Sequence, residues 1–211
     1  MALKEDLGSS AGSTDPADEL VYSKVWDLPT RLFHWALAAT VIAGWYLGYY
    51  REFSTIDYHF YLGYATGGLL IFRLIWGVVG PPSARFINIV PGPRRLITYI
   101  ASVAKRRPSG VAGHNPLGGL SVVALLAVLT VQVVAGLFAE DDSLFASGPL
   151  ESYVSLRWTA FANEVHYISS RVLLVLVGLH LTAILFYQVW KRENLITPML
   201  TGWKRVYGKN Q

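Results

Sequence analysis

The sequence contains no cysteine. This absence excludes disulfide bonds, iron–sulfur clusters held by thiolates and the thioether attachment of c-type haem. A bound metal would therefore depend on histidine nitrogen or on oxygen ligands. Charged residues are also scarce, at 15%, whereas hydrophobic residues make up 53%, which is too apolar for an ordinary soluble domain. The composition indicates that the bilayer is the solvent of this chain.

Long apolar runs recur four times in the 211 residues. Each run is close to the ~20 residues that a helix needs to cross about 30 Å of hydrocarbon. The runs cover approximately residues 32–50, 58–79, 117–139 and 165–190. Residues 1–23 have no apolar core and are predicted to form a flexible cytoplasmic tail, rather than a signal peptide or a span. We therefore predict an all-α membrane protein with a four-transmembrane-helix bundle within residues 24–211.

Basic residues are segregated among the connections between the runs. Fourteen lie in the tail, the second connection and the C-terminal segment, whereas the first and third connections hold two, Arg51 and Arg157. The positive-inside rule then places both termini in the cytoplasm, for a multi-pass protein of the inner membrane. Because this pattern follows the membrane topology, nucleic-acid binding is a poor explanation of the net charge of +4.

Two connections have patterns of their own. From Arg94 to Lys105, apolar residues recur at helical spacing between basic ones, which predicts a short interfacial helix between spans two and three. A basic loop with incidental apolar residues is the alternative. The connection over residues 140–163 opens with an acidic run, Glu140 to Asp142, and is predicted to be an exposed loop.

Four of the five histidines lie within the predicted spans. A polar side chain is energetically costly inside the membrane, so its presence there indicates a function. The alternating helix directions place His59 and His166 at the outer level, and His34 and His180 at the inner level. His166 and His180 share one face of the fourth span, about 21 Å apart along its axis. Each pair can supply two axial imidazoles to one iron, which leaves no open site for oxygen and favours one-electron transfer. The pattern predicts two b-type haems, one at each level.

The histidines could also serve roles that need no haem. A single membrane histidine often forms a hydrogen bond between packed helices. Zinc or copper would need three or four converging ligands, and a proton-relay transporter would include buried acids, neither of which the spans indicate. Glycines such as Gly48 and Gly136 leave room for a flat macrocycle, although plain helix packing explains them equally.

Three arginines are candidates to hold haem propionates. Arg73 lies at the inner level, where a propionate or a quinone anion would compensate its charge; snorkelling to the cytoplasmic headgroups is the alternative. Arg171 lies roughly 140° around the fourth span from His166, facing either a propionate or the helix interface. Arg31 lies one turn before His34, where the positive-inside rule alone also explains it.

Four segments together resemble the bacterial cytochrome b561 superfamily, which includes the b-type cytochrome subunits of membrane-bound nickel–iron hydrogenases. The segments are VWDLPTRLFHW (Val25 to Trp35), FRLIWG (Phe72 to Gly77), GHNPLGGL (Gly113 to Leu120) and RENLITPMLTGWKR (Arg192 to Arg205). The resemblance covers nearly everything after the tail. It implies a four-helix haem-binding core, axial ligands at His34, His59, His166 and His180, and exchange of electrons with membrane quinone.

The remaining histidine, His114, precedes Asn115 at the cytoplasmic mouth of the third span. In related di-haem cytochromes the quinone often binds near the inner haem. These two residues are therefore candidates to hydrogen-bond a quinone carbonyl and to relay the proton that quinol oxidation releases. Asn115 followed by Pro116 is equally a natural helix N-cap.

These observations predict a di-haem cytochrome b that carries single electrons between the quinone pool and a periplasmic partner, such as a c-type cytochrome or an oxidoreductase subunit. The acidic run that begins at Glu140 would help a lysine-rich cytochrome to dock, although solvated loop charge is the alternative. One rival function is a superoxide:quinone oxidoreductase acting at the outer haem, with Arg51 and Arg157 as a cationic funnel. The second rival is a haem-free transporter that contains histidines.

Overall fold

A computed structural model describes residues 20–207, except residues 107, 110 and 112. Over this part of the chain there are four long helices, three shorter helices and two small antiparallel sheets. In chain order the elements are β1 (Leu20–Lys24), α1 (Leu28–Tyr49), α2 (Ile56–Val79), α3 (Phe86–Ile89), α4 (Pro93–Ser102), α5 (Pro116–Phe138), β2 (Glu140–Asp141), β3 (Ala146–Ser147), α6 (Leu156–Val189), α7 (Ile196–Thr201) and β4 (Trp203–Tyr207). The predicted tail over residues 1–19 lies outside the described residues.

Three of the long helices, α2, α5 and α6, are long and apolar enough to cross a membrane. They coincide with the second, third and fourth predicted spans. α1 has 22 residues, which is a similar length, and it covers the first predicted span. The prediction of a mostly helical membrane protein is therefore confirmed. A helix also occurs where the interfacial helix was predicted, as α4.

The helix of the fourth predicted span begins earlier than we expected. We expected an exposed loop up to residue 163, but α6 begins at Leu156 and continues for 34 residues. Its added turns alternate buried Thr159 and Ala162, at 3% and 8% exposure, with exposed neighbours. Because these turns mix polar and apolar residues, a search for apolar runs does not detect them as helix. At ~1.5 Å per residue, α6 is roughly 50 Å long and therefore exceeds the thickness of the hydrocarbon core.

The long helices form two antiparallel hairpins that pack side by side. α1 packs against α2, α5 packs against α6, and α2 joins the hairpins by packing on α5. The shared core contains Leu70, Leu129 and Leu173, one from each of α2, α5 and α6. A Cβ at Gly67 of α2 would lie 3.4 Å from Val133 of α5, so the hairpins approach each other closely. We call the end of the bundle with the α1–α2 connection the outer end, and the opposite end the inner end.

A two-stranded sheet lies at the inner end. β1 and β4 pair in antiparallel register, from Leu20 opposite Tyr207 to Lys24 opposite Trp203. Val206 is fully buried there against Val25 and Trp26, which are 4% and 6% exposed. Residues 20–23, which we assigned to the flexible tail, form this strand instead. The sheet and its small core make a folded cap under the inner end of the helices, which we call the inner cap.

A buried ion pair holds the inner cap to the end of α6. Lys204 Nζ lies 2.7 Å from Glu193 Oε1, with side-chain exposures of 7% and 6%. Glu193 also accepts hydrogen bonds from the backbone N–H and hydroxyl of Ser109, and Lys204 donates to the Val111 carbonyl. Replacing Lys204 with methionine leaves the carboxylate buried without its partner, so we expect a loss of about 3–5 kcal/mol in the free energy of unfolding. Thermal unfolding in detergent measures it.

The same pair gives a test that depends on pH. Burial by itself raises the pKa of the Glu193 carboxyl, but the charge of Lys204 and the hydrogen bonds from Lys204 and Ser109 outweigh it and hold the pKa below 4.5. The stabilisation is therefore complete above pH 4.5 and is lost as pH falls through the lower folded-state pKa. A Glu193→Gln variant should lack this acid-dependent loss. The double variant Glu193→Gln with Lys204→Met should be more stable than Lys204→Met alone, and an equal or greater loss would contradict the pairing.

Candidate functional site

His59 of α2 and His166 of α6 face each other at the outer end. Their ring centroids are 6.1 Å apart and their planes cross at 80°. Two imidazoles on opposite sides of one metal, each with a metal–nitrogen bond of about 2 Å, place their ring centres about 6 Å apart. The spacing in the structure is thus close to that of a bis-histidine iron site.

The hydrogen bonds of these two rings assign their tautomers. His59 Nδ1 lies 2.9 Å from the Gly44 carbonyl oxygen, and His166 Nδ1 lies 2.9 Å from the Gln132 carbonyl oxygen. Because a carbonyl oxygen only accepts, each Nδ1 carries the proton and donates it. Each Nε2 is then deprotonated and carries a lone pair, which is the form of histidine that ligates a metal.

Gln132 contacts both nitrogens of the His166 ring. Its backbone oxygen accepts from Nδ1, and its side-chain amide nitrogen lies 3.0 Å from Nε2. The hydroxyl of Ser169 donates to the amide oxygen of Gln132, which orients the amide. A metal ligated by His166 would take the place of this amide hydrogen bond.

Two glycines provide the space in which the outer rings lie. A Cβ at Gly48 of α1 would come within 2.9 Å of His59 Cε1, and a Cβ at Gly136 of α5 would come within 2.9 Å of His166 Cε1. Both distances are shorter than side chains tolerate, so larger residues here would displace the rings. The sequence suggested room for a macrocycle at these glycines; in the structure they make room for the rings of its predicted ligands.

The inner end gathers the other predicted residues less tightly. His34 of α1 and His180 of α6 lie within electrostatic range of each other. His114 interacts electrostatically with both, and also with Arg73. The inner residues thus share one region, whereas the outer histidines form a direct ring pair.

Unsatisfied polar atoms single out the inner region. Within the described residues, the buried side-chain nitrogen and oxygen atoms without a hydrogen-bond partner are Arg31 Nε, His34 Nδ1, Arg73 Nη1 and His114 Nδ1. All four belong to residues that the sequence assigned to the inner haem or the quinone. Since buried polar groups normally find partners, such a cluster is expected where a bound group supplies them.

The two inner arginines are also held by protein contacts. Arg73 is only 4% exposed, donates from Nη2 to the Ala84 carbonyl and stacks over the Phe86 ring at 4.6 Å. Arg31 donates from Nη1 to the Leu200 carbonyl. Each guanidinium therefore has a fixed position with one nitrogen unused. Snorkelling does not describe Arg73, because its side chain is buried.

His114 and Asn115 lie where the inner cap meets α5. The His114 ring contacts Trp26, with centroids 4.7 Å apart. Burial and then the charges of Arg73 and Lys204 lower the pKa of His114 to about 4, so its ring is neutral at pH 7. Asn115 is 8% exposed, and its Oδ1 accepts from the Gly118 N–H at 2.8 Å. The N-cap role that the sequence offers for Asn115 is therefore present.

Two predicted features find no support in the structure. Arg171 is exposed and lies over the ring of Tyr167 at 5.0 Å, so its contacts are within its own helix rather than with either histidine pair. Arg51, one half of the cationic funnel, is bound to Asp141 at 2.7 Å. Its charge is thereby offset at the outer surface.

Sequence reasoning missed Gln132, Ser169 and the ion pair of the inner cap. Gln132 was detectable in principle, because an amide within an otherwise apolar span needs a reason as much as a histidine does. Ser169 gave no such signal, since serine packs readily between membrane helices. Glu193 lies inside one of the four quoted segments, but its partner is recognisable only in three dimensions.

Comparisons with known proteins identify the family of the chain. The family model of the prokaryotic cytochrome b561 matches residues 25–202. The chain is similar to the probable Ni/Fe-hydrogenase 1 B-type cytochrome subunit of Escherichia coli K12, at 23% identity over 89% of this chain and 93% of that protein. It is also similar to the probable Ni/Fe-hydrogenase B-type cytochrome subunit of Azotobacter vinelandii, at 25% identity over 97% of both chains, and to that of Rhizobium leguminosarum, at 26% identity over 96% of both.

No solved structure matches the chain. The family match covers most of the described residues, including all five histidines, whereas the strands β1 and β4 of the inner cap lie just outside it. The chain therefore belongs to the prokaryotic cytochrome b561 family and is a membrane-bound electron-transfer cytochrome that binds haem b.

Proposed function

We propose that this cytochrome binds two haems b and transfers electrons across the inner membrane between the quinone pool and a redox partner on the periplasmic face. The observation that carries the proposal is the outer pair, in which His59 and His166 lie 6.1 Å apart with both Nδ1 atoms bound to carbonyls. Each ring is oriented by the hydrogen bond of its Nδ1, and the spacing of the two centroids is close to that of two histidines on one metal. The pair is therefore suited to ligate a haem iron.

The second haem is proposed for the inner end, with His34 and His180 as its ligands. Support comes from the unused buried nitrogens of Arg31, His34 and Arg73. Two guanidinium groups with a spare donor each suit the propionates of a haem, because charge-assisted hydrogen bonds to carboxylates are strong. His166 and His180 on one helix then hold the two groups about 21 Å apart along the axis of α6.

We further propose that α1 is a fourth membrane span and that both termini are cytoplasmic. α1 runs antiparallel to α2 and brings Gly48 against His59, so it reaches the same depth as a helix that is itself apolar enough to span. The connections at the inner end hold most of the basic residues, which orients that end to the cytoplasm.

The protein supplies position and exclusion of water, whereas bound haem supplies one-electron chemistry by cycling between ferric and ferrous iron. Carbonyl oxygens hold the Nδ1 protons of the outer ligands, which leaves each Nε2 deprotonated. His59 and His166 would together hold the haem iron and so leave it no open site for oxygen. The arrangement thus favours transfer of electrons over binding of oxygen.

At the inner end we propose that quinone binds beside His114 and Asn115. The Nδ1 of His114 is buried without a partner, so it is available to a quinone oxygen. Asn115 uses its Oδ1 for the helix cap, and its side chain also forms a hydrogen bond with the Tyr187 hydroxyl, so a quinone beside it would compete for that contact. The relatives are named as subunits of nickel–iron hydrogenases, so an oxidoreductase of that kind, or a c-type cytochrome, is the proposed partner at the outer end.

A reduced-minus-oxidised spectrum of the purified chain tests the proposal. We expect a b-type α band and a haem-to-protein ratio of about two, with reduction by added quinol. A ratio of about one would contradict the second haem, and a spectrum that quinol leaves unchanged would contradict the quinone site. Rapid mixing with superoxide tests the rival enzyme, for which the binding of Arg51 to Asp141 offers no funnel.

A further inference from the structure

The helix α4 lies across the inner end of α5 and α6. The Tyr99 hydroxyl is 2.6 Å from the Tyr187 hydroxyl, and the Trp190 indole N–H donates to the carbonyl of Ala104. These contacts fix the rotation of α4 about its axis. The side of α4 that carries Tyr99 therefore packs against α6, whereas the opposite side has no comparable contact among the described residues.

The polar side of α4 lines a cavity. Its volume is about 480 Å³, within the range of about 300–1,000 Å³ that small-molecule sites occupy. The lining from α4 consists of two guanidinium groups and three hydroxyl-bearing residues: Arg94, Arg95, Thr98, Tyr99 and Ser102. At 100° per residue these five positions fall within less than half of the helix circumference. The two guanidinium groups attract an anion, whereas the hydroxyls of Thr98 and Ser102 already donate to carbonyls within α4.

The two arginines have no carboxylate partner within the described residues. The acidic residues that the structure describes at the inner end are Asp27 and Glu193. Asp27 accepts hydrogen bonds from Thr30 and Trp76, and Glu193 is bound to Lys204 and Ser109. Neither carboxylate is therefore free to neutralise the cavity.

The opposite side of α4 is apolar and open. Ile97 is 68% exposed and Ile100 is 50% exposed. A free anion in water would explain the arginines but not these isoleucines, which need an apolar phase beside them. A phospholipid meets both requirements, with phosphate at the guanidinium groups and acyl chains along the isoleucines.

We propose that this cavity binds the phosphate of an anionic phospholipid, held by Arg94 and Arg95. The chemistry recognised is a phosphate group, and its source is the lipid leaflet rather than free phosphate. The site is separate from the histidine pairs and does not depend on how many haems are bound.

Lipid retention measured by native mass spectrometry tests the proposal. The haem-loaded protein is released from nanodiscs of phosphatidylcholine that contain a minor fraction of phosphatidylglycerol, and the retained lipid is identified by mass. We expect wild type to retain phosphatidylglycerol and the variant Arg94→Gln/Arg95→Gln to bind it about 25-fold more weakly, since each arginine contributes about fivefold. Haem content reports that the variant remains folded.

A matched control removes the same charge elsewhere. The variant Lys24→Gln/Lys105→Gln loses two exposed cations that do not line the cavity and should retain the lipid as wild type does. Equal loss in both variants would show general attraction to a basic surface and would overturn the proposal. Displacement of phosphatidylglycerol by millimolar inorganic phosphate, or equal retention of phosphatidylcholine, would overturn the lipid as the source.

Discussion

Replacing His166 with alanine will lower the haem content of the purified protein from about two per chain to about one. His166 and His59 form one ring pair in which each Nδ1 donates to a carbonyl, and under the proposed function the two rings hold one iron, so loss of either ring should lose that haem. The His59→Ala variant should show the same loss. Haem extraction and the size of the α band measure the outcome.

The identity of the lost haem separates the two sites. A redox titration of His166→Ala should lose the same component as His59→Ala, whereas His34→Ala and His180→Ala should both lose the other. His114→Ala is the control, since His114 belongs to neither pair and should leave both haems in place. Loss of both haems in all four ligand variants would refute the pairing by depth.

Replacing Gly136 with valine is expected to remove the outer haem without touching a ligand. A Cβ at this position would already lie 2.9 Å from Cε1 and 3.1 Å from Nδ1 of His166, and valine adds two methyl groups beyond it. The ring must rotate away, which breaks the hydrogen bond of Nδ1 to Gln132 and misdirects Nε2. We expect about half the wild-type haem content, with the inner haem component unchanged.

Gly68→Val is the matched control on the same bundle. A Cβ there has no atom within 4 Å, and the residue lies about 180° around α2 from His59. It should keep both haems, and circular dichroism should show equal helix content in the two variants. If Gly136→Val kept both haems at wild-type potentials, the close packing of that glycine against the ligand ring would be disproved.

The sequence predicted the long helices well because a membrane span is recognisable as an uninterrupted apolar run. It also predicted a level for each histidine, because alternating spans fix the direction of each helix and depth follows from counting residues. The ring contact of His59 with His166 agrees with the outer level. The sequence did not predict the early start of α6, because the segment from Leu156 to Val165 contains Arg157 and Glu164 and has no apolar run.

Interactions through the backbone were beyond prediction. The partners of His59 and His166 are the carbonyls of Gly44 and Gln132, and every residue type presents the same carbonyl. The sequence also could not predict the direction of the Arg171 side chain. A rotation of roughly 140° from His166 is compatible with either of two neighbouring environments, and the packing of the helices determines which one the side chain faces. Depth follows from residue counting in one helix, whereas orientation depends on its neighbours.

The β1–β4 pairing has a consequence for the order in which the protein is made. Its register joins Leu20 to Tyr207, so β1 leaves the ribosome long before its partner strand exists. The cap beneath His114 cannot close until residue 207 has been synthesised, by which time every helix of the bundle is complete. Lys204 belongs to this late strand, so the buried carboxylate of Glu193 has no charged partner until β4 is made.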